Sequence, residues 1–251
     1  MSALNEFEQI PRKVMTLFFL VDKSGSMSGT KINELNVAIR EVIPIVADIA
    51  ANNSDAEIKI AALEYSTTAE WMFAEPKKAE EFQWCDIQAG GLTSMGAAYK
   101  TLEEKLHKTG FMRAASGSFA PVFIHFSDGE PTDNYNQELQ KLKANNWFKA
   151  GVKVAIAIGN DADKEILKEF TGSSESVLTV HNKEDLKELI KFVTVTSSQI
   201  ATSTGSKTGG ERGKQGDVEK AIGEQFDGDD NKIEIGTAPD PNAASWGDEW
   251  N

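Results

Sequence analysis

The stretch Phe18-Phe19-Leu20-Val21-Asp22-Lys23-Ser24-Gly25-Ser26-Met27 decides how this chain is read. An apolar run, long enough for a buried strand, empties into one carboxylate and two hydroxyls at alternate positions. Side chains alternate along an extended segment, so Asp22, Ser24 and Ser26 can converge on one point beyond the strand, while Lys23 points away. Gly25 lets the backbone bend between the two serines. Three hard oxygen donors at a strand-to-helix loop suit Mg²⁺ or Mn²⁺ better than zinc or copper. The same residues also suit a helix cap and turn cluster, because Asp and Ser favour such positions. The choice rests on what other loops bring.

Working outward, Val14 to Val21 is apolar on both faces, as a central parallel strand is. A helix begins near Lys31, with Ile32, Leu35, Ile39, Val42, Ile43, Val46 and Ile49 forming its buried stripe and Pro44 set to kink it. Ala56 to Tyr65 reads as the second strand, with Ala69 to Phe73 as a hairpin partner. Glu75 to Phe82 reads as a connection with a short helical turn. Gly90-Gly91-Leu92-Thr93-Ser94-Met95-Gly96 is a glycine-rich loop opening a helix that runs to Leu106. Residues 109–120 read as an exposed loop. Further strands are expected over Pro121 to Ser127, Val152 to Ile158 and Ser176 to Val180. Further helices are expected over Gln137 to Phe148, Asp163 to Phe170 and Lys183 to about Val195. This alternation predicts an α/β domain, a doubly wound and mostly parallel sheet with helices on both faces.

Composition bounds the function. The chain has 251 residues and a formal net charge of −13, which repels phosphate backbones and argues against nucleic-acid binding. Cys85 is the single cysteine, so no disulfide framework or thiolate zinc site is expected, in keeping with a reducing cytoplasm. Beside Trp84 it reads as a small core residue. No stretch approaches the roughly 20 apolar residues of a membrane span, and Met1 to Pro11 carries no signal-peptide pattern. From about Ser198 the apolar periodicity fades. Residues 201–251 hold 5 Lys and Arg against 11 Asp and Glu. This segment reads as a flexible acidic tail, unable to bury enough apolar surface to offset its ordering entropy. It ends on Trp246 and Trp250, a candidate docking peptide, because tryptophan is favoured at interface anchors. The expected organisation is therefore an extension over 1–11, a folded domain over 12–197 and a tail over 198–251.

In an open α/β sheet, ligands bind beyond the carboxyl ends of the strands. Three loops are expected there: Asp22 to Ser26, Gly90 to Gly96, and Ser127 to Thr132. Together they offer carboxylates from Asp22 and Asp128 and hydroxyls from Ser24, Ser26 and Thr93. With waters, these make a near-complete oxygen shell for an octahedral ion. A phosphate cradle is disfavoured, because the glycine loop has neither Gly-x-Gly-x-x-Gly nor a Gly-Lys-Ser/Thr ending. A catalytic pair of Ser24 and His125 is disfavoured too, because His125 lies inside a buried strand and reads as a core histidine. His107 and His181 read as solvated.

Asp22-x-Ser24-x-Ser26, Thr93 in a Gly-Gly-x-Thr loop, and Ser127-Asp128-Gly129 at a strand end together resemble the metal-ion-dependent adhesion site of von Willebrand factor type A domains. The resemblance covers roughly residues 12–197. Ile10-Pro11-Arg12-Lys13 leading into Phe18 to Val21, with Ala56-Glu57-Ile58-Lys59-Ile60, is further similar to bacterial proteins of the tellurite-resistance TerY type. The resemblance implies one divalent ion per chain and an acidic side chain of a protein partner at its open coordination position. It further implies partners among stress-response or phosphorylation-linked proteins, such as a kinase or phosphatase. Three functions remain in view: a non-enzymatic metal-dependent binding module; a metal-dependent phosphoester hydrolase with Glu130 or Asp133 as base; and a scaffold driven by the tail.

Overall fold

The computed structural model describes residues 12–159, 162–203, 213–226 and 233–236. The extension over 1–11, Trp246 and Trp250 lie outside these residues. Along the chain run β1 (Lys13–Asp22), α1 (Thr30–Asn52), β2 (Ala56–Tyr65), β3 (Ala69–Trp71), β4 (Lys77–Lys78), α2 (Met95–Glu103), β5 (Val122–Ser127), α3 (Tyr135–Ala144), α4 (Asn146–Ala150), β6 (Val152–Ile158), α5 (Lys164–Thr171), β7 (Val177–Val180), α6 (Lys183–Thr202), α7 (Gly213–Phe226) and β8 (Ile233–Ile235). The sheet has the order β3-β2-β1-β5-β6-β7-β8, with β4 pairing β2 beside β3. The five strands from β2 to β7 along this path are parallel, and β3, β4 and β8 run antiparallel at the edges. The order reverses at β1, which has β2 on one side and β5 on the other, so a crevice opens where the loops after these strands diverge.

Alternation along the central strands divides the core. Met15, Leu17, Phe19 and Val21 of β1, Ile58, Ile60 and Ala62 of β2, and Val122, Ile124 and Phe126 of β5 join the layer containing α1 and α6. Phe18, Leu20, Ala61, Leu63, Tyr65 and Phe123 join the opposite layer, with Tyr99 and Leu102 of α2 and Leu139 and Leu142 of α3. Phe18 stacks on Phe123 with centroids 5.2 Å apart, bridging neighbouring strands. Burial on both faces makes β1 a pillar of the fold, and it delivers Asp22 to the crevice. Helix α1 continues through Pro44, which lies on the exposed face, where the carbonyl left without a donor can meet water.

Several expectations need correction. The helix expected over 137–148 is two helices, because Asn145 breaks the run. Its side-chain oxygen accepts the Trp147 N–H to cap α4, and its amide donates to the Leu106 carbonyl. The stretch 75–82 carries β4, not foreseen, ahead of the expected turn, which the Glu81 N–H closes on the Lys78 carbonyl at 2.9 Å. Phe111 and Met112, in the expected exposed loop, are buried against the α2 layer. Cys85 is exposed, because Trp84 and Ile87 beside it turn inward towards Asn36 of α1.

The largest difference lies beyond residue 198, which falls inside α6. Helix α7 buries Val218, Ile222 and Phe226 in the α1/α6 layer, and Phe226 meets Phe192 edge-on at 5.0 Å. The Gln215 side-chain amide pairs with the Lys153 backbone in both directions, accepting from its N–H at 2.8 Å and donating to its carbonyl at 2.9 Å. Ser176 donates to the buried Glu219 at 2.9 Å. Strand β8 then adds to β7. The segment expected as tail thus contributes a helix and an edge strand to the folded unit.

Candidate metal centre

The loops after β1 and β5 and the loop before α2 meet at the carboxyl edge of the sheet, tied by main-chain bonds. Gly25 N–H donates to the Gly91 carbonyl at 3.0 Å and Gly90 N–H to the Lys23 carbonyl at 2.8 Å. Thr132 N–H donates to the Thr93 carbonyl at 2.8 Å, and Thr93 N–H to Thr132 Oγ1 at 3.1 Å. Gly91 has a φ of +85°, and a Cβ there would lie 2.7 Å from Thr67 Oγ1, so glycine is required on both counts. Asp133 accepts from the N–H groups of Gly96 and Ala97 at 3.0 and 3.1 Å, which caps α2 and fixes the loop that carries Thr93.

The expected donors come together within this frame. Asp22, Ser24, Thr93 and Asp128 are buried, and Ser26 lies at the exposed rim. Ser24 Oγ and Ser26 Oγ are 2.9 Å apart, and Ser26 donates to Asp128 Oδ1 at 2.8 Å. Asp22 Oδ1 accepts the Ser24 N–H at 2.8 Å. A Cβ on Gly129 would lie 3.3 Å from Ser26 Oγ and 3.9 Å from Thr93 Oγ1, so hydroxyls from two loops flank one glycine. Lys23 turns away, as alternation predicts, and pairs with Glu64 of β2 at 3.3 Å.

Burial pushes the Asp22 carboxyl above its ordinary range, opposed by bonds from the Ser24 N–H and the Ser127 hydroxyl and reinforced by the nearby Asp128. That tension fits a cation. One is already drawn to the cluster: the Lys31 ammonium, from the first turn of α1, bonds Asp128 Oδ2. Among the described residues no group of three or more His, Cys, Asp or Glu side chains gathers as a metal-binding set. The site's donors are mostly hydroxyls, which suits a hard ion left incompletely neutralised.

Two supporting residues stand beside the five expected donors. Ser127 donates to Asp22 Oδ2 at 2.7 Å. Its place immediately before Asp128 was the available signal. Lys31 read only as a helix start, and its meeting with Asp128, 97 residues away, needs the fold. His125 is buried among Tyr65, Tyr99 and Phe170, and its Nε2 lies 2.7 Å from the Tyr65 hydroxyl. Burial lowers its pKa to about 3, so it is a neutral core histidine.

Comparison with known proteins agrees with this architecture. The family model for the von Willebrand factor type A domain matches residues 16–193. The human collagen alpha-6(VI) chain is 27% identical over 183 residues, which are 70% of this chain and 8% of the collagen chain. Proximal thread matrix protein 1 from the mussel byssus, in a structure with a zinc-occupied MIDAS motif, superposes with a TM-score of 0.56 at 20% identity. That match covers 73% of this chain and 48% of the mussel chain. The ArnB paralog VWA2 from Sulfolobus acidocaldarius gives a TM-score of 0.51 at 18% identity, over 71% of this chain and 44% of that one. At such identities the two structures speak for the fold. No helix among the described residues is long and apolar enough to cross a membrane. The family match spans both halves of the crevice, and the chain belongs to the von Willebrand factor type A domain family.

Proposed function

We propose that this chain is a metal-dependent protein-binding module. Asp22, Ser24, Ser26, Thr93 and Asp128 would hold one Mg²⁺ or Mn²⁺. The observation that carries the reading is the hydrogen-bonded run from Ser24 through Ser26 to Asp128, which joins donors of two loops at the sheet's carboxyl edge. When bound, the ion supplies an electrophilic position for a carboxylate of a protein partner. The chain's own part is to gather the hydroxyls, hold the two carboxylates in place and leave the rim open beside Ser26. On this reading the protein is not an enzyme.

The resemblance to TerY-type proteins supports placing the module in the cytoplasm of a bacterium, in a stress-response or phosphorylation-linked system. Partners presenting Asp or Glu, a kinase or phosphatase among them, would dock at the metal, with Trp246 and Trp250 as a second contact. The phosphoester-hydrolase alternative is weakened, because Asp133 is engaged in capping α2 and Glu130 alone remains as a base. Calorimetric titration of the full chain with Mg²⁺ and Mn²⁺ tests the proposal. Saturable binding that Asp22→Ala abolishes supports it, and no binding of either ion overturns it. Pull-down of a candidate partner should then be lost in EDTA.

A further inference from the structure

Asp128 has its side chain wholly buried, and each oxygen has a partner on a different element. Oδ1 accepts from Ser26, and Oδ2 accepts from the Lys31 ammonium, whose side chain is only 26% exposed. A buried carboxylate with no neighbouring cation is costly, and Lys31 supplies that cation from within the chain. It does so from a flexible four-carbon stem, a compact charge that can swing away without disturbing α1. A divalent ion held by the five donors would draw on the same carboxylate and repel an ammonium beside it.

We propose that Lys31 is a tethered counter-ion that competes with the divalent ion for Asp128, so that metal binding requires its displacement. The inference rests on the metal-binding reading above. If the ammonium is withdrawn in about a tenth of molecules, the apparent metal affinity is about tenfold weaker than the donors alone would give. Displaced, the lysine stays at the rim where a partner's carboxylate would arrive. The one residue then guards the site without metal and flanks it with metal.

The test compares the full-length wild type, Lys31→Met and Lys31→Arg by Mg²⁺ titration calorimetry and by thermal unfolding in EDTA and in saturating Mg²⁺. Lys31→Met is expected to bind Mg²⁺ about tenfold more tightly, to unfold at a lower temperature in EDTA, and to show a larger upward shift on adding Mg²⁺. Lys31→Arg, which keeps the charge, should keep the weak affinity. Lys31→Gln serves as a second neutral variant should Lys31→Met fold poorly. Unchanged or weaker Mg²⁺ binding in the neutral variants overturns the competition while leaving the metal site standing. Absence of binding in every variant and in the wild type removes the metal reading, and the inference with it.

Discussion

Ser127 donates its hydroxyl to Asp22 Oδ2 at 2.7 Å, and the two residues close neighbouring parallel strands at the floor of the crevice. With the Ser24 N–H on Oδ1, both oxygens of a buried carboxylate are engaged. Ser127→Ala should therefore leave one oxygen unsatisfied and cost about 1–3 kcal/mol of stability. It should also weaken metal binding by about 10–100-fold, as loss of an outer-shell partner does. Urea unfolding in EDTA reads the first effect and calorimetry the second. A variant with unaltered metal affinity would show that Ser127 only packs.

The buried His125 makes stability fall in acid. Its folded pKa is about 3, below the ordinary 6.5, so the unfolded chain takes up a proton at pH values where the folded chain does not. Its contribution is intact above about pH 6.5 and is lost as pH drops towards 3, at up to ~1.4 kcal/mol per pH unit. Asp22 acts in the opposite sense, because its folded pKa is raised and its folded form gains a proton first. Urea midpoints between pH 7.5 and 4.5 for wild type and His125→Gln should diverge at pH 7.5 and converge in acid. Parallel curves would refute this assignment.

Asn36 of α1 anchors a stretch without regular structure that leads to the Thr93 loop. Its oxygen accepts from Trp84 Nε1 at 2.9 Å and Ile87 N–H at 3.0 Å, and its amide donates to the Ile87 carbonyl at 2.9 Å. Asn36→Ala removes all three bonds and is expected to cost about 3 kcal/mol. Tryptophan fluorescence should report a looser Trp84 before global unfolding.

Gly236 follows β8 and donates its N–H to the Val177 carbonyl at 2.9 Å, and a Cβ there would collide with the Ser174 carbonyl. Gly236→Ala should loosen β8 at a cost of about 1–3 kcal/mol. Amide exchange at the β7 positions that pair with β8 would rise, and Mg²⁺ binding would stay unchanged. Altered Mg²⁺ affinity would instead reveal coupling between this edge and the crevice.

What could be read in advance divides along physical lines. β1 and its D-x-S-x-S ending were legible, because an apolar run on both faces and a period of two are local signals. Thr93 and Asp128 were legible through the loops that hold them. Helix α7 was not, because it offers only Val218, Ile222 and Phe226 as an apolar stripe. It docks as much through Gln215 and Glu219, residues that in a sequence look solvated. Cys85 misled for a related reason: in an irregular stretch no periodicity says which neighbour turns inward. Lys31 reached Asp128 only through the topology.

The direction of β8 has its own consequence. Ile233 pairs with Val180 at the carboxyl end of β7, and Ile235 with Leu178 further back, so the strand travels away from the loops of the candidate metal centre. Gly236 therefore lies on the far side of the domain from the crevice. Through the Gly236 N–H on the Val177 carbonyl, the edge strand is tied down at the end of the sheet opposite the crevice. A pull on β8 would therefore load the sheet's edge and leave the loops of the five candidate donors unstrained.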